Sequence, residues 1–434
     1  MVDNRLCSRP PQYKSELGAD EMDSCLVLLT NYFPFFKGEE YLETELPILA
    51  VKYDKIFLIA CMIDETQKQT REVPDNVVVI PSGVNHGKLG RIKMLLNSLV
   101  VSPRESEHLN VSQRMYSKYF EARSLMISEQ VMNKLKTHSF EEYKTVTIYS
   151  YWLYITARVA IELKKNHFKT FEPKIITRTH RYDLYEEVTQ LSFLPERQYL
   201  LSQLDWIFPV SDDGTDYLKR KYPEFISKIA TRRLGTIKPF FEWEKTLDKP
   251  LHLVSCSALR PVKRIDLIVD AIASLQKKGL SIRWTHLGDG QLFDQIKISA
   301  TDKLLPDTFE FAGFMPNNKV LEYYKDKGAH LFLNVSKSEG VPVSIMEAIS
   351  VGLPVIATDV GGTREIVEDG TNGTLLDANT NAVELAEAIN AVYRLNQESY
   401  FQLAINAESI WKHKYDGQKN YEDFADELLY EQGS

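Results

Sequence analysis

The sequence predicts an α/β protein of two Rossmann-like domains, each a parallel sheet wrapped by helices, with the two sheets facing a central cleft. Three observations predict it. Short β-branched apolar runs alternate with longer helical patterns along most of the chain. The 434 residues exceed what one ordinary core holds. A charged, proline-containing stretch without sustained periodicity, TRRLGTIKPFFEWEKTLDKP, cuts the alternation in two.

In the first half the strand candidates are CLVLLT, KIFLIAC, NVVVIP, TVTIYSYW, KIITRTH and DWIFPVS. They are apolar runs too continuous for a sheet with one wet face, so they read as strands covered on both sides. In the second half LHLVSCS, IRWTHLGDG, FEFAGF, HLFLNVS and LPVIATD play the same part, separated by helices such as IDLIVDAIASLQKKG and NAVELAEAINAVYRL. The division predicted is a mobile tail at 1–23, a first domain at 24–240, a second at 241–412, and a closing helix at 413–434, GQKNYEDFADELLYE, that crosses back to the first domain.

Composition narrows the function classes. Hydrophobic content of 44%, charged content of 26% and a net charge of −8 describe a globular protein and disfavour general nucleic-acid binding. The four cysteines are scattered, without metal or disulfide spacing, and the first residues hold no apolar leader, so a cytoplasmic location is expected. From Lys88 to Arg181, 17 Lys and Arg stand against 8 Asp and Glu. Within it, Leu89, Ile92, Leu95, Leu96 and Leu99 mark one helix face, with Lys88, Arg91 and Lys93 outside it. That pattern fits an amphipathic helix packed on its own domain, and it also offers peripheral contact with an anionic membrane at the inner leaflet.

The stretch NVSKSEGVPVSIMEAISVGLPVIATDVGG carries the most chemistry. Gly340 and Pro342 shape a turn before a helix expected to start near Ser344, so free amides and the positive helix end face the crevice, a place for a diphosphate. Glu339 lies in the turn and Glu347 one turn into the helix, where carboxylates accept hydrogen bonds from sugar hydroxyls. Taken alone, Glu339 reads as a helix-flanking acid complementing the dipole and Glu347 as a partly buried helix residue.

The whole of EGVPVSIMEAISVGLPVIATDVGG resembles the donor-binding motif of the family 4 retaining glycosyltransferases, which have the GT-B fold. The resemblance implies that Glu339 contacts the donor sugar, Glu347 the ribose, and the loop amides of Gly340, Val341, Pro342 and Val343 the sugar and phosphate oxygens. Upstream, SCSALRPVKRIDLI places Lys263 on the family's lysine, where a fixed cation stabilises charge growing on the departing diphosphate. The family's arginine is absent: Ala258 stands in its place, and Arg260 or Arg264 must substitute. Gly313, Phe314 and Met315 fall where the family holds the base through backbone groups, and HLGDG is a structural landmark. Glu365, in GGTREIV, is expected to complement the start of its own helix.

In the first domain, Gly38 of TNYFPFFKGEE corresponds to the family's loop over the donor phosphates, with one glycine in place of the usual pair. His180 of RTHRYDLYEE matches a family histidine near the reacting sugar, with Arg181 and Asp183 as acceptor-binding candidates. His180, Lys263 and Glu339 are thus the catalytic candidates. The phrases FPFFKGEEYLETELP, SYWLYITARVAIELKK and PVKRIDLI look like a bacterial branch associated with exopolysaccharide or capsule assembly.

The resemblance implies a hexosyltransferase acting with retention on a nucleotide sugar, a UDP-sugar first, toward a glycan, lipid-linked or protein-linked acceptor. No Asp-x-Asp occurs, and no metal or other cofactor is expected. Two rivals stand beside it: a nucleotide-sugar 2-epimerase on the same architecture, and a non-catalytic donor-binding subunit of a glycan-synthesis complex. A dinucleotide oxidoreductase and a P-loop nucleotidase lack their glycine signatures.

Overall fold

The computed structural model describes residues 24–36, 38–83, 96–98, 100–102, 104–105, 109–241 and 243–430. The expected tail at 1–23, Lys37 and the basic face from Lys88 to Leu95 lie outside them.

Two six-stranded sheets form the frame. The first holds β1 (Ser24–Thr30), β2 (Lys55–Ala60), β3 (Val77–Pro81), β4 (Thr145–Ser150), β5 (Lys174–Thr179) and β6 (Trp206–Pro209), in the order β3-β2-β1-β4-β5-β6. The second holds β7 (Leu251–Cys256), β8 (Ile282–Leu287), β9 (Phe309–Gly313), β10 (Leu331–Asn334), β11 (Val355–Thr358) and β12 (Gly373–Leu376), in the order β12-β11-β10-β7-β8-β9. All of these pairings are parallel. This is the GT-B architecture. The strand order reverses between β1 and β4 and again between β7 and β10, and a crevice opens outside the strand ends at such reversals.

Every residue of β1 is buried, as its unbroken apolar run requires when helices cover both faces. The helix Ile265–Lys277 buries Ile265, Ile268, Val269, Ile272 and Leu275, the three-and-four spacing of one helix face. The sequence reading left out β12, a four-residue strand in a Gly-, Asn- and Thr-rich stretch that resembles a turn; it pairs only with β11, at the sheet edge.

The chain passes between domains twice, and the crossings touch. Thr236 bridges to Asp416, with Thr236 N–H donating to the Tyr415 carbonyl (3.0 Å) and Gly417 N–H to that of Thr236 (3.0 Å). A Cβ on Gly235 would lie 2.4 Å from the Gly417 Cα, so glycine alone fits this crossing. The final helix, Gly417–Tyr430, then packs on Leu42–Lys52 of the first domain, placing Phe424, Ala425 and Leu428 in one core cluster with Leu26, Leu46 and Phe208. Among the described residues no helix is long and apolar enough to cross a membrane.

Candidate functional site

The loop after β10 leads into the helix Val343–Ser350, one residue ahead of the expected start. Pro342 holds the N-cap position in an extended conformation and offers no side-chain cap. Its carbonyl accepts from Ile345 and Met346 (3.2 and 3.3 Å), while the amides of Gly340, Val341, Val343 and Ser344 bond no acceptor among the described residues. One expectation is corrected here. Pro342 has no N–H and therefore contributes no amide to a ligand; its fixed φ of −74° instead sets the helix entry.

The loop is held from behind by Gly361 and Gly362. Gly362 N–H donates to the Gly340 carbonyl (2.7 Å), and a Cβ on Gly361, whose φ is +54°, would stand 2.2 Å from the Glu339 carbonyl oxygen. Only glycine allows that approach, so this pair fixes where Glu339 sits.

Lys263 and Glu339, 76 positions apart, meet: Nζ lies 2.6 Å from Oε1, and Asn334 Nδ2 donates to the same oxygen (3.3 Å). Two further bonds join their loops, Lys337 N–H to the Val262 carbonyl (2.8 Å) and Arg264 Nε to the Val335 carbonyl (2.6 Å). Arg264 also donates to the Thr380 carbonyl (3.3 Å). Two of its guanidinium nitrogens are thus spent on carbonyls of its own domain, whereas Arg260 is exposed. Glu347 is partly buried, and removal from water pushes its carboxyl up to about 7. Cys256, closing β7, feels the charges of both Glu347 and Lys263, while burial pushes its thiol up.

Gly313 takes a φ of +71° and Phe314 projects into solvent, while Met315 packs on the core. His286 of HLGDG is fully buried between Ser255 Oγ (2.9 Å) and the Ser257 carbonyl (3.2 Å), a structural placement.

Across the cleft, His180 follows β5, its ring against Tyr151 (4.8 Å between centroids) and Trp152 (4.6 Å). Both ring nitrogens are buried without a hydrogen-bond partner among the described residues. Burial, reinforced by the Arg178 guanidinium, holds the imidazole down to about 3, so it is neutral. Asp183 is fully buried and accepts from His180 N–H (2.6 Å), Leu153 N–H (2.5 Å) and Thr179 Oγ1 (3.2 Å). It positions the His180 backbone and is out of reach of an acceptor, contrary to expectation. Arg181 reaches over to the second domain, Nη2 to Ser338 Oγ at 2.6 Å.

Gly38 sits at φ +100° with its N–H on the Glu40 carboxylate (2.6 Å), so a phosphate there must displace that oxygen. The sequence reading missed Glu39. Its buried carboxylate accepts from the amides of Asn31, Tyr32 and Phe33 (each 2.8 Å) and from the Trp152 indole (2.6 Å). An anion nest after β1 is thus filled by the chain itself, and it steers the indole that backs His180. Glu365 lies in the first turn of its own short helix, as expected, and its carboxylate also accepts from the amides of Asp212 and Asp213 (both 2.9 Å), the first turn of the helix Asp212–Lys221 in the other domain.

The sequence model of the family Glycosyl transferases group 1 matches residues 238–409. WcaL of Salmonella typhimurium, a glycosyltransferase named for colanic acid biosynthesis, is 31% identical over 225 residues, 49% of this chain and 55% of that protein. The match thus spans little more than half of that relative's length. Among solved structures, sucrose-phosphate synthase from Thermosynechococcus elongatus superposes with a TM-score of 0.68 at 16% identity over 94% of this chain and 98% of that one. Anabaena HepE in complex with UDP and glucose superposes with a TM-score of 0.62 at 16% identity, over 94% and 100% of the two chains.

Proposed function

We propose, from a second domain whose residues 238–409 belong to the glycosyl transferases group 1, that this chain is a retaining hexosyltransferase moving a sugar from a nucleotide sugar to an acceptor hydroxyl. A UDP-sugar is the donor to test first, given the UDP and glucose held by a protein of the same fold. Synthesis of an exopolysaccharide, capsule or other surface glycan is the setting that the likeness to WcaL supports.

One observation carries the reading: Lys263 pairs with Glu339 beside a helix start whose first amides have no acceptor among the described residues. A nucleotide sugar supplies what each group lacks. Its diphosphate meets Lys263, exposed Arg260 and the amides of Gly340, Val341, Val343 and Ser344, freeing Glu339 for the sugar hydroxyls while Glu347 takes the ribose. Neutral His180 faces the sugar from the other domain as a hydrogen-bonding group. The bond from the anomeric carbon to the diphosphate breaks, the acceptor oxygen bonds to the same face of that carbon, and the acceptor proton passes to the leaving phosphate. Charge growing on that phosphate is what Lys263 and the helix end stabilise.

Incubation with UDP-sugars and candidate acceptors tests this, with the anomeric configuration of the product read by NMR. Glu339→Ala is expected to lower turnover by about 100-fold or more, and EDTA to leave it unchanged. Wild-type turnover in the variant, or a loss with EDTA that manganese restores, overturns the assignment. Epimerised UDP-sugar formed without acceptor identifies the 2-epimerase instead.

A further inference from the structure

The helix Val111–Leu135 starts at a reciprocal cap, Asn110 Oδ1 accepting from Gln113 N–H (2.9 Å) and Asn110 N–H donating to Gln113 Oε1 (3.2 Å). Its first four turns present Tyr116, Tyr119 and Arg123 to a cavity of about 130 Å³ in the first domain. Tyr32, Tyr154 and Tyr182 close the cavity from the ends of β1, β4 and β5. These are the strand ends that face the cleft.

Among the described residues, Arg123 is the one charged group lining this pocket. Its guanidinium touches Tyr119 Oη (3.1 Å) and Met62 Sδ (3.0 Å) and forms no ion pair among the described residues. The nearby carboxylates are engaged elsewhere: Glu121 and Glu196 lie on buried Arg158 (3.0 and 3.1 Å), and Asp183 accepts backbone amides. A half-buried cation without a counter-ion favours an anionic ligand. The tyrosine faces offer apolar area to a flat-lying ring, and their hydroxyls offer polar contacts at its rim. The volume matches roughly four waters, room for one ring-sized group and not for an oligosaccharide.

The pocket adjoins the candidate reaction centre. Tyr182 packs edge-on against Trp152 (6.2 Å), whose ring lies tilted against His180 (4.6 Å), and Arg181, next to Tyr182, reaches the donor loop at Ser338.

Resting on the transferase reading, we propose that this pocket is the acceptor subsite and that the acceptor is acidic: a sugar unit bearing a carboxylate or phosphate, its ring on the tyrosines and its charge on Arg123. The test is direct binding to the intact chain, by calorimetry or ligand-observed NMR, with UDP present to fill the donor cleft. The probes are methyl glucoside, methyl glucuronide and a phosphorylated glucoside. At least one acidic probe is expected to bind tenfold or more tighter than the neutral one, and which of the two does so tells carboxylate from phosphate. Arg123→Gln should erase the preference, Arg123→Lys should keep part of it, and Tyr182→Ala should weaken acidic and neutral probes alike. Equal binding of all three probes by the unmodified chain overturns the proposal, as does a preference that survives Arg123→Gln. A separate UDP titration keeps the two readings apart. Failure to bind UDP counts against the transferase reading, whereas UDP binding without acid preference counts against the pocket alone.

Discussion

Glu347 is a carboxyl whose desolvation no partner offsets, which raises it from about 4.5 to about 7. Below the lower value both folded and unfolded chains hold the proton and nothing is lost. Between the two values the unfolded chain ionises while the folded one stays protonated, so stability falls as pH rises, by at most about 3 kcal/mol once pH exceeds 7. Glu347→Gln removes this penalty. Its melting temperature is expected to match wild type near pH 4.5 and to exceed it increasingly up to pH 7, then level off. A gain independent of pH would show that ionisation is not the cause. The residue is well placed for such strain if a ribose later supplies the missing hydrogen bonds. At this scale Glu339 and Glu347 stood out because a glycine, a proline and a helix pattern surround them in one continuous string, and Lys263, 76 positions upstream, because it sits in a basic cluster at the start of another helix pattern. Glu39 was not: its partners are the amides of Asn31, Tyr32 and Phe33, and backbone amides carry no side-chain signature. The choice between Arg260 and Arg264 was equally hidden, since it turns on which guanidinium faces the carbonyls of Val335 and Thr380.

Among the elements, the strands followed from their apolar runs, and the exception is instructive. β12 has four residues, and a strand so short at an edge needs little apolar surface of its own to be held. The helix Asp212–Lys221 shows another limit. Ser211 caps it locally through Gly214 N–H (3.1 Å), while the two amides before that are completed by Glu365, about 150 positions away in the other domain. Arg233 lies 3.6 Å from the same carboxylate. A carboxylate at a helix start satisfies orphan amides and opposes the helix dipole, together about 1–2 kcal/mol. Glu365→Ala is therefore expected to lower the urea midpoint by a corresponding amount and to open the domains, read as an increased radius of gyration in X-ray scattering. Glu365→Gln, which keeps one accepting oxygen, should fall between. An unchanged radius in the alanine variant would mean that the contact does not hold the domains closed.

On the scale of the whole molecule, the two sheets place their reversal points opposite each other, so each half of the cleft is built by a different domain. The first domain is not finished by its own sequence. Phe424 packs its ring on Tyr149 (5.5 Å) and Phe208 (5.6 Å) and lies under the Arg178 guanidinium (3.9 Å), while Lys52 pairs with Asp426 (2.5 Å) and Arg232 with Glu427. Arg178 is fully buried and also bonds Tyr149 Oη (2.8 Å) and the Arg232 carbonyl (2.7 Å). The final helix thus covers a desolvated cation and part of the core in a domain whose strands end some 200 positions earlier. Because the returning segment is pinned to the outgoing one at Thr236 and Asp416, it also ties the domains together at that crossing. Removing a buried phenylalanine costs about 3–5 kcal/mol, and here the loss falls on one domain. Phe424→Ala is expected to separate unfolding into two transitions, the first domain melting earlier while residues 251–412 hold their original midpoint. Hydrogen exchange resolved by segment would read this directly. Equal loss of protection in both domains would mean that they fold as a single unit, and that the last helix stabilises the whole chain.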